Sequence, residues 1–147
     1  MAFHVKYGTN ISHWLSQSSR RGAARRNFFT KTDVQRIATM GEGKLDHIRL
    51  PIDEEQMWDV DGDRNAEAFD LLEAALNWCE AAGLKVIVDL HLLRTHHFLD
   101  EEDPPLFSDP REEERFAELW RELSAFLDER STELVAYELL KDELKPY

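Results

Sequence analysis

Side chains of the kinds that bind and cleave sugars follow, one after another, the short β-like segments of this sequence. Carboxylates, histidines and an arginine form hydrogen bonds with hydroxyl groups, and an indole stacks on the apolar face of a sugar ring. Cleavage of a glycosidic bond needs two carboxyl groups that flank it. The sequence therefore predicts carbohydrate chemistry, and its candidate residues are Asn10, His13, Trp14, Arg49, Asp89, His91, His96, His97, Glu138, Asp142 and Glu143.

Several of these candidates also fit a purely structural role. Arg49 and Asp89 could form an internal ion pair that joins two strands. His91 could be a hydrogen-bonded histidine of the core, and Trp14 could fill the end of a barrel by packing alone. The histidines between His91 and His97 are spaced unlike any zinc template, so we predict neither a metal site nor a cofactor.

Four β-like segments alternate with three helical patterns and must position these side chains. The segment 84–91 is β-branched and almost continuously apolar, which is typical of a strand buried on both faces. Pro51 is predicted to end the second segment because proline cannot donate to a ladder. The β-like segments are 6–11, 47–51, 84–91 and 134–140, and the helices are predicted at 32–41, at about 65–82 and from 110 onward.

The order β-α-β-α-β-α-β predicts an α/β fold with parallel strands and right-handed crossovers. The longer irregular pieces, 12–30, 51–64 and 92–109, all follow the carboxyl end of a strand, whereas the helix-to-strand connections are short. In α/β folds, ligand sites are built at that end. The candidate residues are therefore expected to meet at one edge of the sheet.

Composition excludes several classes of protein. The chain has 147 residues, 42% of them hydrophobic, which suits a single domain with one core. A net charge of −12 argues against binding to nucleic acids or to anionic membranes. No apolar run reaches the length of a membrane helix, and the first residues do not form a secretory signal. The chain as it stands is therefore expected in the cytoplasm, and a processed secreted protein is the alternative. Cys79 is the only cysteine, which excludes an internal disulfide.

The charges are divided unevenly along the chain. Residues 1–49 carry nine basic and three acidic residues, whereas residues 50–147 carry nine and 27. Arg20, Arg21 and the pair Arg25–Arg26 lie in one short stretch. We predict a loop that pairs with acidic helices of the same or a neighbouring chain, and an anion-binding patch is the alternative.

Three motifs resemble the first three strands of glycoside hydrolase family 5, the cellulase-type TIM barrels. They are Tyr-Gly-Thr-Asn-Ile-Ser-His-Trp-Leu-Ser-Gln at 7–17, His-Ile-Arg-Leu-Pro-Ile-Asp at 47–53 and Gly-Leu-Lys-Val-Ile-Val-Asp-Leu-His at 83–91. The resemblance covers nearly the whole chain in the right order. It implies a retaining β-glycosidase of β-glucans, mannans and related chains, with Arg49 and His91 beside the scissile bond.

The resemblance also assigns the catalytic carboxylates. The fourth strand of the family ends in Asn-Glu-Pro, whose glutamate is the general acid/base, and Asp142 occupies that place here. Asp142 is therefore the expected proton-transfer residue, with Glu138 and Glu143 in reserve. Lys141 replaces the amide that contacts the sugar, and the family's nucleophile, on the seventh strand, has no counterpart in this chain.

The family barrel has eight strands, and this chain supplies four, so the fold predicted for residues 1–147 is a single (β/α)₄ half of a TIM barrel. We expect its inner face and edges to expose apolar area, and two copies to close a barrel as a homodimer. Four-layer stacking and a flat flavodoxin-like sheet are the alternatives. The predicted function is hydrolysis of β-glucosides or short β-glucans; the alternatives are an inactive carbohydrate-binding remnant and a structural fragment.

Overall fold

One parallel sheet organises the computed structural model, which describes residues 2–95 and 105–140. Each strand pairs with the next along the chain, in the order β1-β2-β3-β4. The strands are β1 (Gly8–Asn10), β2 (His47–Asp53), β3 (Lys85–Leu92) and β4 (Val135–Glu138). The predicted parallel α/β arrangement is confirmed, with strand ends that differ by no more than two residues from those expected.

Three longer helices follow the predicted pattern, and three short ones were not predicted. The longer helices are α2 (Lys31–Gly43), α4 (Ala66–Ala82) and α6 (Pro110–Leu127). The short helices are α1 (Ala23–Arg26), α3 (Glu54–Met57) and α5 (Pro105–Ser108). A four-residue helix has room for barely one turn, so it leaves no apolar periodicity in the sequence. Within the described residues, none of these helices is both long and apolar enough to cross a membrane.

Local signals explain where the longer helices begin and end. The side chain of Asn65 accepts a hydrogen bond from the backbone N–H of Ala68, which caps α4. Gly83 ends α4 with φ of 74°, a left-handed conformation that glycine adopts without strain. At α6, the carboxylate of Asp109 caps the first turn and Pro110 occupies the first helical position.

The core lies between the outer face of the sheet and the longer helices. Alternate strand residues point toward the helices, as the two-residue period of a strand requires. The fully buried strand residues of this face include Ile48, Leu50, Val86 and Val88, and α4 contributes Leu72, Ala75, Leu76 and Cys79 to the same cluster. Burial raises the pKa of the Cys79 thiol to about 12, so the single cysteine is a core residue and not a nucleophile.

The prediction that Pro51 ends the second strand is wrong, since β2 continues to Asp53. The carbonyl of Arg49 accepts from Ile11, and the N–H of Asp53 donates to Leu15. Both groups therefore face the β1 side, and by the alternation of a strand the nitrogen of Pro51 faces that side as well. Because β1 has already ended at that level, the proline removes no hydrogen bond from the ladder with β3.

The opposite, inner face of the sheet is polar, which corrects the expectation of an apolar interior. Asn10, Arg49, Asp89 and Glu138 join there in one hydrogen-bonded network. At the amino end of this face, the imidazole of His47 lies so close to Gly8 that an added Cβ would be 2.4 Å from the ring.

Candidate functional site at the carboxyl edge of the sheet

Arg49 lies at the centre of a cluster that takes one side chain from each strand. Its guanidinium donates from Nη1 to Asn10 Oδ1 over 2.8 Å and from Nη2 to Asp89 Oδ2 over 2.5 Å. Its Nε and Nη2 groups donate to the two carboxylate oxygens of Glu138 over 2.6 and 3.0 Å. The strand register brings these side chains together, because Asn10 pairs with Arg49 and Asp89 pairs with Glu138. Arg49 and Asp89 therefore form the internal ion pair that the sequence analysis gave as their possible structural role.

The electrostatics of this cluster favour the charged form of Arg49. The hydrogen bonds with Glu138 raise the pKa of Arg49, burial opposes this, and the charges of Asp89 and Glu138 add to the increase. Both oxygens of Glu138 are held by Arg49, so its carboxylate serves as a counter-ion in this structure. The arrangement does not favour the reserve role of proton donor that we expected of Glu138.

His91 extends the network along β3. Its Nδ1 lies 2.8 Å from Asp89 Oδ2, the same oxygen that accepts from Arg49. Because Asp89 is fully buried and already pairs with Arg49, we assign the imidazole proton to Nδ1, which donates to this carboxylate. The Nε2 atom then acts as an acceptor and lies 3.4 Å from Nε2 of Gln17. One buried carboxylate thus orients both the guanidinium and the imidazole.

Two residues of this edge, Gln17 and Asp53, were missed by the sequence analysis. The carboxylate of Asp53, 1% exposed, accepts from the hydroxyl of Ser16 over 2.8 Å and from the backbone N–H of Gln17 over 2.6 Å. Burial raises the pKa of Asp53, and the hydrogen bonds from these two donors reduce the increase. Asp53 lies four residues beyond Arg49 on the same strand, so two-residue alternation could have identified it.

Trp14 does not contribute the exposed ring that sugar stacking requires. It is fully buried, its indole N–H donates to the carbonyl of Arg25 over 2.9 Å, and its ring packs 5.0 Å from that of Phe29. This position corrects our assignment of Trp14 to the sugar site. The side chain packs in the interior, which was the structural role that the sequence analysis also gave it. His13 is exposed, has φ of 60° and places Nδ1 3.2 Å from the carbonyl of Gln17.

Four predicted site residues lie outside the residues that the structure describes. They are His96 and His97 after β3, and Asp142 and Glu143 after β4.

The long loop 12–30 is anchored by Arg25, which is 1% exposed. Its guanidinium donates to Glu67 Oε1 over 2.8 Å, to Gln56 Oε1 over 3.1 Å and to Asn65 Oδ1 over 3.1 Å. Arg26 binds the other oxygen of Glu67 over 2.8 Å. This part of the basic stretch pairs with an acidic residue of α4, as the loop interpretation predicted.

The arrangement presents polar groups suited to hydroxyl-rich ligands. Asn10 supplies an amide, Arg49 a guanidinium and His91 an imidazole. Arg49 binds both Asn10 and Asp89, and Asp89 binds His91. With Glu138, the negative charges of this cluster outnumber the one guanidinium, so the edge stabilises developing positive charge better than developing negative charge.

Comparison with known proteins assigns the chain to a family. A family model described as cellulase, glycosyl hydrolase family 5, matches residues 8–141. Endoglucanase C of Acetivibrio thermocellus is 31% identical over 144 residues, which are 96% of this chain and 41% of that protein. Cellodextrinase A of Ruminococcus flavefaciens is 29% identical over 136 residues, 92% of this chain and 39% of that one.

Solved structures show the same fold. A crystal structure described as a glycoside hydrolase superposes with a TM-score of 0.74 at 18% identity, over 95% of this chain and 42% of that one. The chain thus spans about two fifths of the length of the relatives it matches, which agrees with the predicted half of a TIM barrel. On the match over residues 8–141, the chain belongs to the cellulase family, glycosyl hydrolase family 5.

Proposed function

We propose that this chain forms the β1–β4 side of a barrel that hydrolyses β-glycosidic bonds in β-glucosides or short β-glucans. The observation that carries the proposal is the Arg49–Asp89–His91 array at the carboxyl ends of the strands, in a member of the cellulase family. The names of two relatives, an endoglucanase and a cellodextrinase, support β-linked glucose chains as the substrate class.

In this proposal, the residues of the edge position the sugar and Asp142 transfers the proton. Asn10, Arg49 and His91 bind hydroxyl groups of the ring next to the scissile bond. Asp142 protonates the leaving oxygen, which requires a neighbouring charge or burial that keeps the carboxyl protonated. A second carboxylate acts on the opposite face of the sugar, where it attacks the anomeric carbon or activates a water that does so; Asp142 of a second copy is the candidate, with Glu138 and Glu143 in reserve.

The first prediction concerns Asp142. We expect Asp142→Asn to lower the kcat for an aryl β-glucoside or cellotetraose at least about 100-fold, because an amide cannot transfer the proton. The matched control is Glu129→Gln, which neutralises an exposed carboxylate after α6 and should leave the rate unchanged. Equal rates for the wild-type chain and Asp142→Asn would contradict the assignment.

A second candidate function is carbohydrate binding without hydrolysis. It is favoured by the sequence Lys141-Asp142-Glu143, in which a shorter acid stands at the place of the family's glutamate. Calorimetry with cellotetraose separates the two candidates, since binding without turnover supports the second. Neither binding nor turnover would contradict both.

We further propose that a second copy of this chain completes the barrel. In the described sheet, β1 and β4 each pair with one neighbour, so each has an open edge. Apolar side chains are exposed beside the β4 edge, namely Tyr137 and Leu139. The net positive charge of residues 1–49 and the net negative charge of residues 50–147 favour contact between the first part of one copy and the second part of another.

The second prediction follows from this arrangement. We expect light scattering of the 147-residue chain at micromolar concentration to give the mass of a dimer, and Leu139→Lys to shift it toward the monomer. The control is Val60→Lys, which adds the same charge at an exposed valine between α3 and α4 and should leave the dimer intact. A stable monomer in the wild-type chain would contradict the proposal.

A further inference from the structure

Gln17 has a backbone conformation that its neighbours must maintain. Its φ is 51°, in the left-handed region that a side chain with a Cβ enters at a cost in free energy. The N–H of Gln17 donates to the buried carboxylate of Asp53 over 2.6 Å, and the hydroxyl of the preceding Ser16 binds the other oxygen. The end of β2 therefore holds this turn of the loop in place.

This conformation places the side chain of Gln17 against β3. Its Nε2 atom lies 3.4 Å from Nε2 of His91, a residue 74 positions further along the chain. The other ring nitrogen of His91 contacts Asp89. The imidazole is thus contacted at both nitrogens, by a buried carboxylate on one side and by an exposed carboxamide on the other.

We propose that Gln17 is a positioning residue of the proposed sugar site: Asp53 places it, and its carboxamide fixes the orientation of the His91 imidazole at the edge where the sugar binds. This inference rests on the proposed function, because it supposes that a β-linked sugar binds at this edge. The carboxamide donates to the acceptor nitrogen of the ring, which strengthens the preference for a proton on the nitrogen that faces Asp89. Since Gln17 is exposed and His91 is buried, a sugar that approaches the ring also meets the carboxamide.

The third prediction separates the side chain of Gln17 from its backbone. Gln17→Ala removes the carboxamide and keeps the strained φ, whereas Gln17→Gly removes the carboxamide and relieves the strain. We expect both variants to change the imidazole nitrogen shifts of His91 in NMR spectra of the sugar-free protein. We expect both to weaken cellotetraose binding about three- to tenfold, as the loss of one hydrogen bond does.

Two further variants complete the experiment. Asp53→Ala removes both oxygens that bind Ser16 and the N–H of Gln17, and should change the imidazole shifts of His91 in the same way. Ser19→Ala, at an exposed position of the same loop, should change neither the spectrum nor the affinity. The two substitutions at the exposed Gln17 keep the test decisive if Asp53→Ala does not fold.

The imidazole shifts of His91 and the affinity for cellotetraose test different parts of the proposal. Unchanged His91 shifts in Gln17→Ala would overturn the positioning role, including the case in which affinity falls, because the carboxamide would then act on the sugar alone. Changed shifts with unaltered affinity would also overturn it. If the wild-type chain neither binds nor cleaves cellotetraose, the proposed function fails, whereas the spectra still decide whether Gln17 and Asp53 hold the imidazole.

Discussion

Replacement of Arg49 by methionine is expected to lower the free energy of unfolding by about 3–5 kcal/mol, as breaking a buried ion pair does. The reason is the full burial of Asp89, whose carboxylate accepts from Arg49 over 2.5 Å. Methionine preserves the apolar stem of the side chain but leaves this carboxylate without the guanidinium. Urea denaturation at neutral pH measures the loss. We also expect at least about tenfold weaker binding of cellotetraose, because hydrogen bonds from charged donors contribute roughly 1.5–3 kcal/mol.

A double-mutant cycle attributes this loss to the pair. With Asp89→Asn in the background, Arg49→Met should cost less than it does alone, by about 1–3 kcal/mol, since no buried charge is left behind. Glu138→Gln should cost about 1 kcal/mol or less, because that carboxylate is 35% exposed and water can replace the arginine. Strictly additive effects of Arg49→Met and Asp89→Asn would show that the two side chains do not interact in solution.

The second large effect is expected at Arg25, away from the proposed sugar site. Arg25→Met should lower the free energy of unfolding by about 2–3 kcal/mol, since it removes the donor of the Gln56 oxygen and one donor each from Glu67 and Asn65, which keep their backbone donors. The oxygen of Gln56 is the most costly of these, because that residue is fully buried. Thermal or urea denaturation checks the value.

Arg26 provides the matched control for Arg25. It binds the same carboxylate, that of Glu67, at the same distance of 2.8 Å, but its own side chain is 55% exposed. Arg26→Met is therefore expected to cost no more than about 1 kcal/mol. Similar losses for the two variants would mean that burial does not govern the strength of these ion pairs, which would contradict the reasoning for Arg25.

Much of the fold could be predicted from the sequence because its signals are local. The apolar spacing of α4, its asparagine cap and the glycine that ends it lie within 20 residues of one another. The β-branched run of β3 is equally self-contained, since a strand buried on both faces needs apolar residues at almost every position. The alternation of these elements then requires a parallel sheet.

The site could be predicted only to the level of the strand ends. Parallel strands bring their carboxyl ends to one edge, so the approach of Asn10, Arg49, Asp89 and Glu138 follows from topology. Their charges and spacing alone did not reveal that Glu138 holds Arg49 with both oxygens. That contact depends on the register between β3 and β4, which no local pattern specifies.

Residue types and their order along the chain specify the α/β class, the longer helices and the edge at which polar groups gather. Each of these follows from patterns among residues that are close in sequence. Tertiary packing decides which of those groups face the edge. It buries Trp14 against Arg25 and Phe29 of its own loop, and it brings Gln17, held by Asp53, to His91. Such contacts join residues tens of positions apart, and their geometry exists only when the loop and the strands are packed together.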